Sequence, residues 1–339
     1  MEIKRIAVDT SKHFFTIVGV DDRGQVVMRR ELKRHQVEPF FQKQPPVEVV
    51  LEACGGSHHW GRTFLALGHR VQLLPPQYVK PFVKRGKNDR HDAMAIAEAS
   101  ARPGIHPVPV KSAQQQAEAM LLSVRELLVK QRTQLANAMR GHASEFGVIV
   151  GKGLSNADAL VERARNDPSV PEPAKAMMAL LAAQFNALLL QIADLDRKLL
   201  AEHKANPVSR RLAEVPGVGP LGALTLALTI DPKQFHSGRH FAAWIGLTPK
   251  EASTGGKPRL GGISRQGNER LRQLLVLGAT AVIRIAVKPG SRLASPWLVQ
   301  LLARKPRKLA AVALANKMAR IVWAMMRSGE AYRHKPAVG

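Results

Sequence analysis

The sequence contains few cysteines, few aromatic residues and few acids. Cys54 is the single cysteine among 339 residues, which excludes an internal disulfide and a cysteine-rich zinc site, and it is expected to be a small buried side chain. Aromatic residues make up 5% of the chain, too few for base-stacking platforms to dominate a nucleic-acid surface. The start, MEIKRIAVDT, has no apolar segment after its first charges. A reducing, cytoplasmic setting is therefore expected.

The sequence also lacks an apolar run typical of a membrane helix. Its longest uncharged run, residues 176–193, is interrupted by Gln184, Asn186 and Gln191. A membrane helix needs about 20 predominantly apolar residues. We therefore expect no membrane segment.

Acids are outnumbered by bases, and the imbalance is uneven along the chain. There are 26 Asp and Glu against 51 Lys and Arg, for a net charge of +25. Such a surplus argues against an ordinary metabolic enzyme and indicates a polyanionic partner, with nucleic acid as the first candidate. Residues 1–109 carry 17 cations and 11 acids, residues 110–205 carry 12 and 10, and residues 206–339 carry 22 and 5. We expect the main nucleic-acid surface in the last region and protein contacts in the middle one.

The first region, residues 1–109, alternates strand and helix signals. Three apolar runs separated by turn residues predict antiparallel strands, and strand and helix patterns alternate after them. The predicted elements are strands Ile3–Asp9, Phe14–Val20 and Gln25–Leu32, a helix near 37–42, strand Val47–Glu52, a helix near 60–67, strand Val71–Leu74 and helix Asp89–Ala101. This order predicts an RNase H-like α/β domain.

The middle region, residues 110–205, has helical periodicity. Apolar residues spaced three and four apart form an a/d heptad seam: Met178, Leu181, Phe185, Leu188, Ile192, Leu195 and Leu199. An earlier helix, about Gln114–Phe146, repeats the pattern less regularly, and the glycines and prolines of residues 147–173 predict an irregular loop. The two helices form either a coiled-coil hairpin that also pairs with another subunit, or a pair packed on its own chain alone.

The last region, residues 206–339, is predicted to be mostly helical and carries two glycine-containing features. Residues 212–230 resemble a helix-hairpin-helix, in which Gly217 and Gly219 allow backbone N–H groups to approach phosphate; a plain helical turn is the alternative. Residues 251–268 contain five glycines. Three cations of this loop could contact phosphates: Lys257, Arg259 and Arg265. Its hydroxyls, Ser253, Thr254 and Ser264, cannot be assigned a chemical role from composition alone.

Four acids of the first region could hold a metal ion. Asp9 and Glu52 each end an apolar strand, and Asp89 and Asp92 lie three residues apart on one helix face. Oxygen ligands of this kind suit Mg²⁺ or Mn²⁺. Two such ions can stabilise the attacking and leaving oxygens of a phosphodiester displacement. Lys84, Arg85 and Lys87 could bring a phosphate to the metal, or could form a solvated loop.

Taken together, these residues resemble a known family. The four acids Asp9, Glu52, Asp89 and Asp92, then a helical middle, then VPGVG, FAAWIGLTP, STGGK and ISRQGN, resemble the DEDD transposases of insertion-sequence family 110, 1111 subgroup. The similarity covers essentially the whole chain in the same order. It implies a RuvC-like domain at residues 1–109, dimerisation helices at 110–205 and a transposase domain at 206–339.

The resemblance also implies a mechanism. In the family, a structured guide RNA pairs with donor and target DNA, four acids bind Mg²⁺, and a serine of the transposase domain forms a covalent phosphoserine link. Carried over to this chain, the serine is Ser253, which stands 11 residues before Ser264. Dimers, and tetramers of two dimers, are implied as well, in the bacterial cytoplasm at the nucleoid. The catalytic site would then be composite and could be completed between subunits.

Two alternatives remain open. A RuvC-like endonuclease would hydrolyse DNA with the four acids and without Ser253. A non-catalytic RNA- or DNA-binding protein would use the acids structurally and show no Mg²⁺-dependent cleavage.

Overall fold

Two compact units, residues 1–117 and 118–339, make up the chain. The computed structural model describes residues 2–83, 89–257 and 259–333, with the backbone alone at residues 89 and 90. We call residues 1–117 the sheet unit and residues 118–339 the helical unit. The helices expected at 110–205 lie mostly in the helical unit, together with the C-terminal region. The three-region division stays a prediction.

The sheet unit is built on five strands in the order β3-β2-β1-β4-β5. They are β1 (Arg5–Thr10), β2 (Phe14–Val20), β3 (Val26–Lys33), β4 (Glu48–Glu52) and β5 (Arg70–Leu74). β1 to β3 form an antiparallel meander, while β4 pairs in parallel with both β1 and β5. The predicted mixed α/β domain with a central sheet is confirmed, and it is consistent with a RuvC-like domain.

Helices cover both faces of this sheet. They are α1 (Arg34–Gln42), α2 (Ser57–Ala66), α3 (Pro76–Val79) and α4 (Asp89–Ser100), with a 3-10 turn at Lys80–Phe82. Side chains alternate between faces along a strand. Ile6 and Val8 therefore pack with Phe41 and Phe64 of α1 and α2. Ala7 and the other buried residues on its face of the sheet pack instead against a run of alanines on α4. The small alanine side chains let the helix lie close to the strands.

One expectation in this unit was wrong. Cys54 was expected to be a small buried side chain, but it is an exposed free thiol. It lies beyond the end of β4, where the strand has left the core, and its Sγ is 3.2 Å from Thr10 Oγ1.

The helical unit consists mainly of long helices and one small hairpin. Its helices are α5 (Ala113–Ser144, which begins before the unit boundary), α6 (Ala157–Asn166), α7 (Glu172–Ala205), α8 (Pro207–Leu212), α9 (Pro220–Thr229), α10 (Gly238–Trp244), α11 (Glu269–Ala286), α12 (Pro296–Arg304) and α13 (Arg307–Ser328). The strands β6 (Pro249–Glu251) and β7 (Leu260–Ile263) pair in antiparallel fashion, and 3-10 turns lie at Leu154–Asn156 and Pro232–Gln234.

α5 and α7 run antiparallel. Leu122 near the start of α5 shares a cluster with Leu199 near the end of α7, and Met139 shares one with Met178 at the other end. The Arg125–Asp196 ion pair joins the two helices between these points. The predicted a/d residues of α7 are all buried or half-buried, so the seam is used within the chain.

The expected irregular loop at 147–173 was wrong in part, because α6 lies inside it. Its glycines and prolines flank residues 157–166 without interrupting them. Within this segment Ala157, Leu160, Val161 and Ala164 follow helical spacing and are buried between α5 and α7. Apolar burial therefore outweighed the turn-forming residues on either side.

Two helices of the described residues, α7 and α13, are long and apolar enough to cross a membrane by length and composition. α13 contributes Ala315, Met318 and Val322 to the main core of the helical unit, and core helices pass the same test. The absence of a membrane segment stays a prediction.

Candidate functional site

Three of the predicted acids lie at one edge of the sheet. The β1–β4 register pairs Val8 with Leu51, so Asp9 and Glu52 are the next residues on two adjacent parallel strands. Each lies two residues after a core residue beneath α4, namely Ala7 and Val50. Because side chains two apart share a face, both carboxylates point to the α4 side.

α4 brings Asp92 to this edge. The residue next to it, Ala93, is buried against the sheet, and Asp92 itself is half-buried. Burial raises the pKa of Glu52, and the negative charge of Asp92 raises it further. Asp89 begins α4, one turn before Asp92, but its side chain lies outside the described residues. Glu52 and Asp92 therefore form a crowded pair, with Asp9 on the adjacent strand end.

The donor set at this edge suits a hard cation. Carboxylate oxygens are the ligands that Mg²⁺ and Mn²⁺ prefer. The raised pKa of Glu52 reflects a burial and like-charge cost that a bound cation would relieve. Within the part of the chain that the structure describes, no three His, Cys, Asp or Glu side chains already form a metal-binding group. Lys84, Arg85 and Lys87, expected beside this edge, lie outside the described residues.

Ser253 lies in the loop of the β6–β7 hairpin, where its hydroxyl has two partners. Ser253 Oγ donates to Glu251 Oε1 at 2.9 Å, and the Arg259 N–H donates to Ser253 Oγ at 3.1 Å. A backbone bond from the Ala252 N–H to the Arg259 carbonyl closes the ladder beside it. The hydroxyl is therefore fixed in position while the side chain remains exposed.

The base of this hairpin is held by close backbone packing. A Cβ on Gly267, whose φ is +67°, would lie 1.7 Å from the Trp244 carbonyl oxygen. A Cβ on Gly246 would lie 2.5 Å from the Gln266 nitrogen. Arg272 Nη1 donates to the Ile245 and Gln266 carbonyls at 2.8 and 2.7 Å. The segments FAAWIGLTP and ISRQGN thus pack against each other and support the Ser253 loop.

The predicted cations of the loop, Lys257, Arg259 and Arg265, are all exposed. Arg265 adopts a left-handed φ of +57°, an unusual conformation for a residue other than glycine. Asn268 is the N-cap of α11, and its side chain accepts a hydrogen bond from the Leu271 N–H at 3.0 Å.

Gly217 and Gly219 lie in the turn between α8 and α9. The Gly217 φ is +89°, and a Cβ there would lie 2.9 Å from the Gly278 carbonyl of α11. The glycine at 217 is thus explained by packing against α11. Gly219 is exposed at the N-cap of α9, and Pro220 follows it at the first helical position.

Comparisons with known proteins agree with this arrangement. A model described as "Transposase IS116/IS110/IS902 family" matches residues 209–294, and an IS110 DEDD transposase model matches residues 6–147. The transposase for insertion sequence element IS1111A of Coxiella burnetii is 40% identical over 98% of this chain and 92% of its own length. This chain belongs to the IS110 family of DEDD transposases.

Two further relatives are similar over nearly the full chain. The protein y4pF/y4sB of Sinorhizobium fredii is 54% identical over 98% of this chain and 86% of its own length. The transposase for insertion sequence element IS1328 of Yersinia enterocolitica is 36% identical over 96% and 98%. As an IS110-family transposase, the protein cleaves and rejoins DNA during transposition of an insertion sequence.

In this transposase, a basic groove beside the hairpin was missed by the sequence reasoning. It has a volume of about 1140 Å³ and is bordered by β7, α10, α12 and α13. Arg239, Lys317 and Arg320 line it, and the Lys317 ammonium lies 4.2 Å from the centre of the Trp297 ring. The signal was the charge of the tail, since residues after Ser291 carry 10 cations and one acid, but sequence spacing could not show which cations face the hairpin.

Proposed function

We propose that this transposase is a site-specific recombinase whose Ser253 forms a covalent phosphoserine link with DNA. The observation that carries the proposal is the fixed and exposed Ser253 hydroxyl at the end of a basic, glycine-rich hairpin. Lys257 and Arg259 lie in the same loop and Arg265 lies at the base of the hairpin, and these cations can hold the phosphates of a strand. A serine ester conserves the phosphodiester energy, so strands can be rejoined without ATP.

Asp9, Glu52, Asp89 and Asp92 are proposed to hold Mg²⁺, or Mn²⁺ in its place. The adjacent strand ends of β1 and β4, with Asp92 above them, support this assignment. Bound there, the metal would stabilise the charge that develops on the phosphodiester oxygens. Asp9 and Glu52 lie at the ends of two paired strands and Asp92 lies on a helix, so the backbone positions these three carboxylates. Lys84, Arg85 and Lys87 are proposed to contact DNA beside them.

The nucleic-acid partners are proposed to be donor DNA, target DNA and a structured guide RNA that pairs with both. Residues 206–339 carry 22 cations and 5 acids, and this surplus of positive charge supports a large polyanion-binding surface. The α8–α9 pair is proposed to act as a helix-hairpin-helix, with Gly219 presenting backbone N–H groups to phosphate and Gly217 setting the turn. Such a protein would work in the bacterial cytoplasm, at the nucleoid.

Residues 110–205 are proposed to form a dimerisation region, in dimers and in tetramers of two dimers. The a/d seam is buried within the chain, so the pairing surface must be another face of α7. Met177, Leu180 and Leu190 are 57%, 62% and 74% exposed. A second copy of the same helices would remove this apolar stripe from water, in a coiled-coil arrangement.

The test is a set of single substitutions in the full-length protein, assayed on labelled DNA carrying an element end, with Mg²⁺ and RNA transcribed from the flanking non-coding segment. Ser253→Ala should abolish both strand cleavage and the protein–DNA adduct that survives denaturation. Thr254→Ala is the matched control, because it removes the neighbouring hydroxyl, and it should retain both. Asp9→Asn should abolish cleavage and leave nucleic-acid binding intact.

The same assay separates the alternatives. An endonuclease that uses the acids alone would still cleave as Ser253→Ala and would form no adduct. A non-catalytic binding protein would show no Mg²⁺-dependent cleavage in any variant. Omitting the RNA should prevent site-specific cleavage, and unchanged site choice without RNA would contradict the guided mechanism.

A further inference from the structure

Glu251 contacts the proposed nucleophile directly. It is the last residue of β6 and lies two positions before Ser253, so the extended backbone places the two side chains on one side. The Ser253 hydroxyl donates to Glu251 Oε1 at 2.9 Å. This distance is within the range needed for proton transfer from a nucleophile to a base.

A carboxylate at this position opposes DNA binding. Among residues 232–268, Glu251 is the single acid beside six cations, and it is exposed in the hairpin that carries Lys257 and Arg259. A negative charge beside an incoming phosphate is repulsive, by Coulomb's law. An amide or a hydroxyl could hold the hairpin without that cost. A structural role for Glu251 alone therefore does not explain why this side chain carries a negative charge.

The hairpin geometry supplies one. The Arg259 N–H donates to Ser253 Oγ while Oγ donates to Glu251, which leaves an Oγ lone pair free to face a phosphorus atom. The ladder bond between Ala252 and Arg259 and the packed base at Gly246 and Gly267 fix this orientation. Proximity and alignment of nucleophile and base are the usual requirements for activating a serine.

We propose that Glu251 is the general base that activates Ser253, an inference that rests on the serine mechanism proposed above. The Ser253 proton passes to the Glu251 carboxylate as the Oγ–P bond forms. The P–O bond to one deoxyribose breaks, and the leaving sugar oxygen takes a proton from water. In rejoining, the sugar hydroxyl loses its proton to water and attacks phosphorus, the Oγ–P bond breaks, and protonated Glu251 returns its proton to Ser253.

Glu251→Gln tests this assignment because glutamine keeps the shape and a hydrogen-bond acceptor but cannot take the proton at neutral pH. The assay is the rate of adduct formation by the full-length protein on labelled DNA carrying an element end, with RNA from the flanking segment and Mg²⁺. General-base catalysis typically contributes about 10²–10⁴-fold, so we expect a loss of at least about 100-fold. Glu269→Gln is the matched control: this exposed acid accepts a hydrogen bond from Gln273 at 2.9 Å and should leave the rate unchanged.

Two further readouts separate catalysis from structure. Affinity for the DNA probe should be unchanged or higher in Glu251→Gln, since a negative charge is removed, and its thermal midpoint should match that of the wild type. The rates of adduct formation and of rejoining should fall together, so the fraction of DNA in the adduct at equilibrium should stay constant. A Glu251→Gln rate within about threefold of the wild type would show that the carboxylate only supports the hairpin.

Failure of the general-base proposal can be distinguished from failure of the serine mechanism. If the adduct maps to Ser253 and is lost in Ser253→Ala while Glu251→Gln reacts normally, the nucleophile stands and the general base is overturned. If Ser253→Ala still forms the adduct, the serine mechanism itself falls.

Discussion

Gly278 makes one of the closest backbone contacts among the described residues of the helical unit, and its replacement gives a direct test of the packing there. It lies inside α11, where alanine would improve helix propensity by about 1 kcal/mol. A Cβ at 278 would, however, lie 1.8 Å from the Gly217 carbonyl oxygen. Real Cβ atoms essentially never approach a heavy atom within 3.0 Å, so α11 and the α8–α9 turn must separate. Overpacking of a core typically costs about 1–3 kcal/mol, and here both contacting groups are backbone.

We expect Gly278→Ala to lower the free energy of unfolding by up to about 2 kcal/mol, the upper end of the net of these two opposing effects, because neither backbone group can move aside as a side chain would. For a unit of this size that corresponds to about 4–8 °C in the thermal midpoint. The assay is thermal and urea unfolding followed by circular dichroism. Gly222→Ala is the matched control: it is also a helical glycine, and its nearest neighbour, Val218 Cγ1, is 3.9 Å away. It should raise stability by up to about 1 kcal/mol. Equal stabilisation by both substitutions would refute the close packing of α11 on the turn.

Three other predictions concern the acids, the basic groove and α7. Because the folded state raises the pKa of Glu52, the metal-free protein should lose stability as the pH rises from the ordinary pKa of this carboxyl to the raised one. Glu52→Gln should flatten that part of a stability–pH profile and should reduce the rise in thermal midpoint on adding Mg²⁺. Arg320→Ala, in the groove beside β7, should weaken DNA binding at all sequences. In a salt titration, the slope of log affinity against log salt concentration should fall in magnitude by about 1, and an unchanged slope would show that the groove does not bind phosphate. Leu190→Lys should shift the protein toward monomer in sedimentation experiments, whereas Leu190→Ala should do so less; an unchanged assembly in both would exclude this face from the interface.

Much of the sheet unit could be predicted because its signals are local. The apolar run Phe14–Val20 and the turn residues after it predicted β2 with the bounds that the structure shows, and α4 ends within one residue of its prediction. The strand ends carrying Asp9 and Glu52 followed from the apolar runs before them. That the two strands are neighbours could only be expected from the fold class, because strand order depends on contacts distant in sequence.

The hydrogen-bonding partner of Ser253 was missed for a different reason. Glu251 looked like one acid in a basic stretch, because the glycines of residues 251–268 indicate a loop without fixing where the hairpin strands begin. The pairing of Glu251 with Leu260 sets the loop, and the loop then directs the Ser253 hydroxyl to the carboxylate. The role of Gly217 could not be predicted either, because the sequence alone does not distinguish a glycine needed for phosphate approach from one needed for close helix packing.

The hairpin also explains why its glycines are divided between two roles. Gly246 and Gly267 lie at the base, where a Cβ would collide with backbone, and they make that base stiff. Gly255 and Gly256 lie in the loop, with positive φ and no neighbour within 4 Å of an added Cβ, and they leave room for a second backbone. The proposed attack of Ser253 Oγ on phosphorus in a bulky, charged DNA strand would need both properties. A rigid base would fix the direction of Oγ to the accuracy that catalysis demands, while the open loop would let the strand approach it.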